Sequence, residues 1–177
     1  MDTNAPLSLV TASYSTRDGA VEDFSRVWAT RYDGGFHHTA LAVLTTAAGD
    51  ELRVERANST AKHLAWGGAL LGGALFVLAP AAGVEMLAAV GVTGAGPIIR
   101  HFRQNTDAEE LSAVADPLEE DAWSLVVVVV NRRGNVITPL LTQAGRSVSV
   151  DVQWAGLEEE LCSDVTTSLS VAARIAS

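Results

Sequence analysis

The chain predicts an α+β fold: a ferredoxin-like mixed sheet of order β-α-β-β … α-β-α-β, interrupted by an inserted glycine- and alanine-rich apolar helical hairpin. Three observations predict it. Segments of two-residue alternation and segments of helical spacing follow one another on both sides of the chain's centre. Trp123 to Val130 is a nearly unbroken apolar run, as a strand covered on both faces requires. The remaining apolar surplus sits in one place: Leu64 to Ile99 holds a single charge, Glu85, in 36 residues, with eight of the 15 glycines and nine alanines.

Leu7 to Ser15 alternates and reads as a strand. Ser15 or Thr16 then caps a helix with Asp18 in its first turn, and Val21, Phe24, Val27, Trp28 and Tyr32 share one face. Asp33-Gly34-Gly35 ends it. Phe36 to Thr46 and Glu51 to Arg56 form a β-hairpin around a turn at Ala47 to Asp50. Asn58-Ser59-Thr60 matches a glycosylation pattern, but its expected role is to cap the following helix. That helix runs from Ala61 to Ala79 and stops at Pro80. A second limb starts at Val84, and Gly94, Gly96 and Pro97 are expected to interrupt or kink it before Ile98 to Phe102.

Thr106-Asp107-Ala108-Glu109 reads as a capping box opening a short helix with Leu111, Val114 and Leu118 on one side and Pro117 near its end. After the Trp123 to Val130 strand, Arg132-Arg133-Gly134 turns, and Asn135 to Gln143 reads as a short helix against which Pro139 is an objection. Ser147 to Trp154 alternates as a strand. Leu157, Leu161, Val165, Leu169 and Ala173 step by four, which predicts a final amphipathic helix. The expected parts are residues 1–60 and 105–154 as two halves of the α+β body, 61–104 as the hairpin, and 155–177 as the C-terminal helix, with the helices on one face of the sheet.

The composition bounds the function. The 177 residues suffice for one core without disulfides, and a lone cysteine, Cys162, excludes a disulfide scaffold. Hydrophobic residues make up 48%, which excludes a disordered chain. A net charge of -9 argues against nucleic acid as a partner. MDTNAPLS has neither the basic nor the apolar region of a signal peptide, so the expected location is the cytoplasm.

The hairpin carries the functional expectation. Ala65, Gly68, Ala69, Gly72 and Gly73 place small residues at four-residue spacing, and Gly91 with Ala95 repeats the device on the second limb. Glycine costs up to about 1 kcal/mol per helical position, so such a stripe implies another backbone packed very close. Lys62, His63 and Trp66 stand at one end of the insert, and Arg100, His101 and Arg103 at the other; together they form its base. Glu85 falls at the tip, or at a central opening if copies assemble. In an oligomer, the same hairpin on another subunit covers these faces. The alternative is a re-entrant or two-pass element at the inner face of the cell membrane, with lipid as the partner and the basic ends on anionic headgroups.

The string Thr60-Ala61-Lys62-His63-Leu64-Ala65-Trp66-Gly67-Gly68-Ala69-Leu70-Leu71-Gly72 resembles the core motif of a bacterial family of uncharacterised membrane proteins, the domain of unknown function 1269. Gly94 to Phe102 and Ala122-Trp123-Ser124-Leu125-Val126 resemble its second half. The resemblance spans about residues 7 to 153, departs from the family at Pro97, and implies no reaction and no catalytic residues.

Chemistry-bearing residues elsewhere read as structural. His37 and His38 are adjacent in a strand, so they point apart and do not share a metal. His63 and His101 flank the hairpin, where a pH-sensitive contact is their one special role. Cys162 sits in a helical stripe as a small buried side chain. Gly91 to Gly96 lacks the strand before it and the Gly-Lys-Ser/Thr of a phosphate loop. The expectation is a non-enzymatic protein that homo-oligomerises through its hairpin, without cofactor or metal, its C-terminal helix offering a surface to a further protein partner.

Overall fold

In a computed structural model of the chain, residues 6–31, 33, 36–47, 51–59, 64–80, 95–131, 137–153 and 157 are described, with backbone alone at 37, 38, 51 and 64–67. Five strands form one sheet: β1 (Pro6–Tyr14), β2 (Phe36–Ala47), β3 (Glu51–Ser59), β4 (Trp123–Asn131) and β5 (Arg146–Gln153). Their order is β3-β2-β4-β1-β5. Every neighbouring pair is antiparallel, from Leu7 opposite Val130 to Tyr14 opposite Trp123 in the central pair.

The sheet is therefore antiparallel, not mixed. β1 and β2 do run the same way, and so do β4 and β5, but a third strand lies between the members of each pair. The strands joined by crossovers are thus not neighbours, and no parallel ladder forms among the described residues.

Helices lie on both faces of the sheet, which corrects the one-sided expectation. The cause is β4. Leu125, Val127 and Val129 point to one face, Val126, Val128 and Val130 to the other, and all six are buried. An uninterrupted valine run has no polar face to give to water, so both sides need cover.

On one face lies α1 (Arg17–Thr30), capped by Thr16, whose side chain accepts from the Gly19 N–H at 3.2 Å. Ala20, Phe24 and Val27 dock it on Val10, Ala12, Tyr14, Leu41 and Val43. On the other face lies α2 (Leu64–Leu78), followed by α3 (Ala95–Asn105), α4 (Ala108–Ala115) and the short α5 (Pro117–Glu120). α2 rests on β2, β3 and β4 and packs against α3 and α4. Its Ala69, Leu70, Leu71, Ala74 and Leu75 join Ala40, Ala42, Val126 and Val128 in one core.

Several boundaries move for local reasons. α3 starts at Ala95 with Gly96 and Pro97 in its first turn. Proline in a first turn forfeits only an N–H that has no helical partner. Ile98 and Phe102, four apart, then anchor α3 in the core. The cap of α4 is Asp107, not Thr106, and Glu110 accepts from the Asp107 N–H at 3.4 Å. α4 ends at Ala115, so Pro117 falls near its end as expected, and Pro117 then opens α5. Of the helix expected over 135–143, the described residues 137–143 hold a 3-10 turn at Thr138–Leu140, and Pro139 supplies no N–H to a longer one. Asn58 and Ser59 end β3 rather than capping α2. The second limb from Val84 and, apart from Leu157, the C-terminal helix fall outside the described residues. Leu157 is buried in the α2-side core.

Candidate functional site

The small-residue stripe works inside the chain. A Cβ built on Gly73 would stand 2.6 Å from Cγ2 and 2.8 Å from Cβ of Ile98, and 3.4 Å from the Ala95 carbonyl oxygen. Only glycine fits there, so α3 lies directly on the α2 backbone. Ala69, Gly72, Gly73 and Ala95 are all buried, and Gly68 is half-buried. The whole stretch Ala69 to Leu75 is covered, with the sheet on one side and α3 on another. Over this stretch the close backbone that the stripe calls for is α3 of the same chain. The side chain of Ala65, and all of Gly91, fall outside the described residues.

Cover thins at the C-terminal end of α2. Phe76, Val77 and Ala79 are half-exposed and Pro80 is exposed. The Arg103 guanidinium carbon lies 5.9 Å from the centre of the Phe76 ring, so a cation borders this apolar end.

Of the six residues expected at the insert's base, Lys62 and His63 fall outside the described residues, as does the Trp66 side chain. The other three share α3. Arg100 and Arg103 are exposed. His101 is half-buried, and its Nε2 meets the Gln153 carbonyl oxygen at the end of β5. A carbonyl only accepts, so Nε2 carries the hydrogen. The Asn105 side-chain amide then donates to the His101 carbonyl at 2.9 Å and reaches Nδ1 at 3.4 Å. His101 therefore ties α3 to the sheet edge. Glu85 lies outside the described residues. The side chains of His37 and His38 fall outside the described residues.

One polar cluster escaped the sequence reading. Asp23 has no solvent exposure, although it lies on the buried face of α1 among Ala20, Phe24 and Val27. Its Oδ2 accepts from the Tyr14 hydroxyl at 3.2 Å and from the Gln143 backbone N–H at 2.9 Å. Its Oδ1 pairs with the Arg26 guanidinium, which also donates to the Leu140 carbonyl at 3.1 Å and the Thr142 hydroxyl at 2.6 Å. Burial, then the Asp23 charge and hydrogen bond, hold the Tyr14 phenol protonated well above its ordinary range, against a smaller opposite pull from Arg26. Each Asp23 oxygen is engaged by protein, so the cluster offers no face to a substrate. It fastens the 138–144 crossover onto α1. A sequence signal existed: Asp23 falls three residues from Ala20 and four from Val27, inside the apolar arc.

A second latch lies across the sheet. Arg146 pairs with Glu120 and Asp116, Ser13 donates to Glu120 at 3.2 Å, and the Thr11 hydroxyl donates to the Val114 carbonyl. Glu120 first, then Asp116, keep the Arg146 guanidinium charged above its usual range.

Among the described residues, no group of three His, Cys, Asp or Glu side chains could hold a metal ion. Likewise, no helix among them is long and apolar enough to cross a membrane. The 15 residues of α2 span about 22 Å, against about 30 Å of hydrocarbon. Comparison of the chain with family models, with curated proteins and with solved structures finds no match.

Proposed function

We propose that this chain is a non-enzymatic, self-associating structural protein that presents the distal end of its glycine-rich helical hairpin to further copies of itself. In this reading the body is a ferredoxin-like core, with β1-α1-β2 closing around β4 and β4-β5 closing around β1. It is enlarged by β3 and by the inserted hairpin. The Gly73–Ile98 seam serves as a rigid stem and the end of α2 as the contact.

The observation that carries the reading is the change of cover along α2. Seven consecutive buried residues, Ala69 to Leu75, give way to half-exposed Phe76, Val77 and Ala79. The sequence from Ala81 to Gly94 adds only Glu85 as a charge. Apolar sequence beside a partly exposed helix end favours a partner. The test is the mass of the purified protein without detergent. A uniform oligomer that falls apart in Phe76→Glu or Val77→Glu supports the reading, and a monomer at all concentrations overturns it.

A second reading, a membrane-associated protein that inserts the same end, draws on Arg103 beside Phe76, on exposed Arg100 in the same helix, and on the resemblance of Thr60 to Gly72 to a family labelled as membrane proteins. Cations bordering an apolar end suit a headgroup boundary. It predicts that vesicles with anionic lipid sediment the protein, and that Arg100→Glu with Arg103→Glu releases it. Full recovery in the supernatant with anionic vesicles removes this reading.

A further inference from the structure

The sheet has two edges, and the chain treats them differently. β3 is guarded. Glu55 is an extra residue in its ladder, because Arg56 pairs with Val43 and Val54 with Leu44. Arg53, Glu55 and Arg56 are exposed on it. Arg17 binds Glu55 at 2.7 Å, and the Arg56 guanidinium lies over the Phe24 ring at 4.7 Å, so both side chains fold inward against α1. A bulge and a row of charges are the usual means of preventing a further strand from adding.

β5 has no bulge and no charge at its centre. Its eight residues follow β1 without a register shift, from Pro6 opposite Gln153 to Ser13 opposite Arg146. It has no proline or glycine, and Val148 and Ser149 at its middle bear no charge. Its two charges are engaged within the chain, Arg146 with Glu120 and Asp116, and Asp151 with the Ser8 hydroxyl at 2.5 Å. Val148, Val150 and Val152 face the α2-side core, while Ser149, Asp151 and Gln153 stay exposed on the other face. Among the described residues, no segment pairs with its outer side.

We propose that β5 is the docking edge for a second copy of this chain, the two sheets joining antiparallel about a two-fold axis into one ten-stranded sheet. The proposal rests on the self-association reading and adds a second contact to it. The strand is complementary to itself. A two-fold pairing must set residues of the same face opposite one another, so it centres on a residue rather than between two. Centred on Val150, it sets Val148 against Val152, Ser149 against Asp151 and Ser147 against Gln153. Centred on Ser149, it sets Val148 against Val150 and Ser147 against Asp151. Both registers extend the valine stripe, give a serine hydroxyl to a carboxylate, and place no charge opposite its own copy. A strand of another protein has no such match built in.

Ser149→Lys tests the proposal, because the side chain is exposed and a lysine at an edge blocks pairing without disturbing the core. Loss of this contact should halve the native mass across a concentration series, while the melting temperature of the dissociated chain stays that of the wild type at matched dilution. In a Cys162→Ser background, Ser149→Cys or Val150→Cys should give a covalent dimer on oxidation, since a residue on the axis faces its own copy at disulfide distance. An unchanged mass in Ser149→Lys, with neither cysteine variant cross-linking, overturns the β5 contact. If the oligomer then dissociates on Phe76→Glu, self-association stands without it. A wild type that is monomeric throughout overturns both, and β5 amides protected in that monomer would assign the edge to a segment of the same chain.

Discussion

The two helical layers bury one sheet by opposite means. Under α1 the core is made of large side chains, Tyr14, Phe24, Phe36 and Leu41, and it encloses a charged latch at Asp23. Under α2 the core has small residues on both sides of the contact, Ala69 and Ala74 on the helix against Ala40 and Ala42 on β2, with leucines, valines, Ile98 and Phe102 filling the rest. The α1 layer gains position from hydrogen bonds, which fix one geometry. The α2 layer gains position from close backbone approach, which tolerates no added atom. An apolar, glycine-rich helix is therefore not by itself evidence of an outside partner. From Ala69 to Leu75 its surface is covered within the chain.

Substitutions in each layer should break this contrast in different ways. The largest effect is expected from Asp23→Ala, which leaves the Tyr14 hydroxyl and the Gln143 N–H without their acceptor, while half-buried Arg26 keeps Glu22. Leaving a buried donor unsatisfied costs about 1–3 kcal/mol, so the two together lower the unfolding temperature by roughly 10 °C. Gly73→Leu comes next. Overpacking costs about 1–3 kcal/mol, and Ile98→Ala in the same chain should restore part of it, because the two side chains would compete for one space. Simple addition of the two losses in chemical denaturation would dissolve the seam.

The third effect is one of pH. The folded chain keeps the Tyr14 proton that the unfolded chain releases near pH 10. This contribution is complete below that pH and is lost as the pH rises above it, by up to about 1.4 kcal/mol per pH unit. Tyr14→Phe should flatten the alkaline limb of the stability profile by that amount. The smallest effect has the opposite sign. Gly96 shares α3 with Ile98, yet its added Cβ would meet nothing within 4 Å, so Gly96→Ala should stabilise by about 0.5–1 kcal/mol.

The strands and α1 were legible because alternation and the Thr16 cap are local signals. The five strands and their order along the chain follow from them, and so does the double burial of β4. The layer built on α2 was not legible. A helix of leucine, alanine and glycine shows the same composition all round whether sheet, sister helix or lipid covers it, so periodicity could not choose among them. Asp23 was hidden for a different reason: its neighbours Val21, Phe24 and Val27 set the apolar stripe, and a carboxylate inside it becomes sensible only once Gln143, 120 residues later, is seen to donate to it. The guarded and unguarded edges need the strand order, which no local pattern contains.

α2 is the inner helix of its own chain, and the proposed self-association leaves its cover in place. Backbone amide exchange over Ala69 to Leu75, followed on dilution from the oligomer to the monomer, tests it most directly. The account predicts that these amides remain as protected in the monomer as in the oligomer. Protection that disappears in step with dissociation would show that a neighbouring copy covers the helix, and would contradict it.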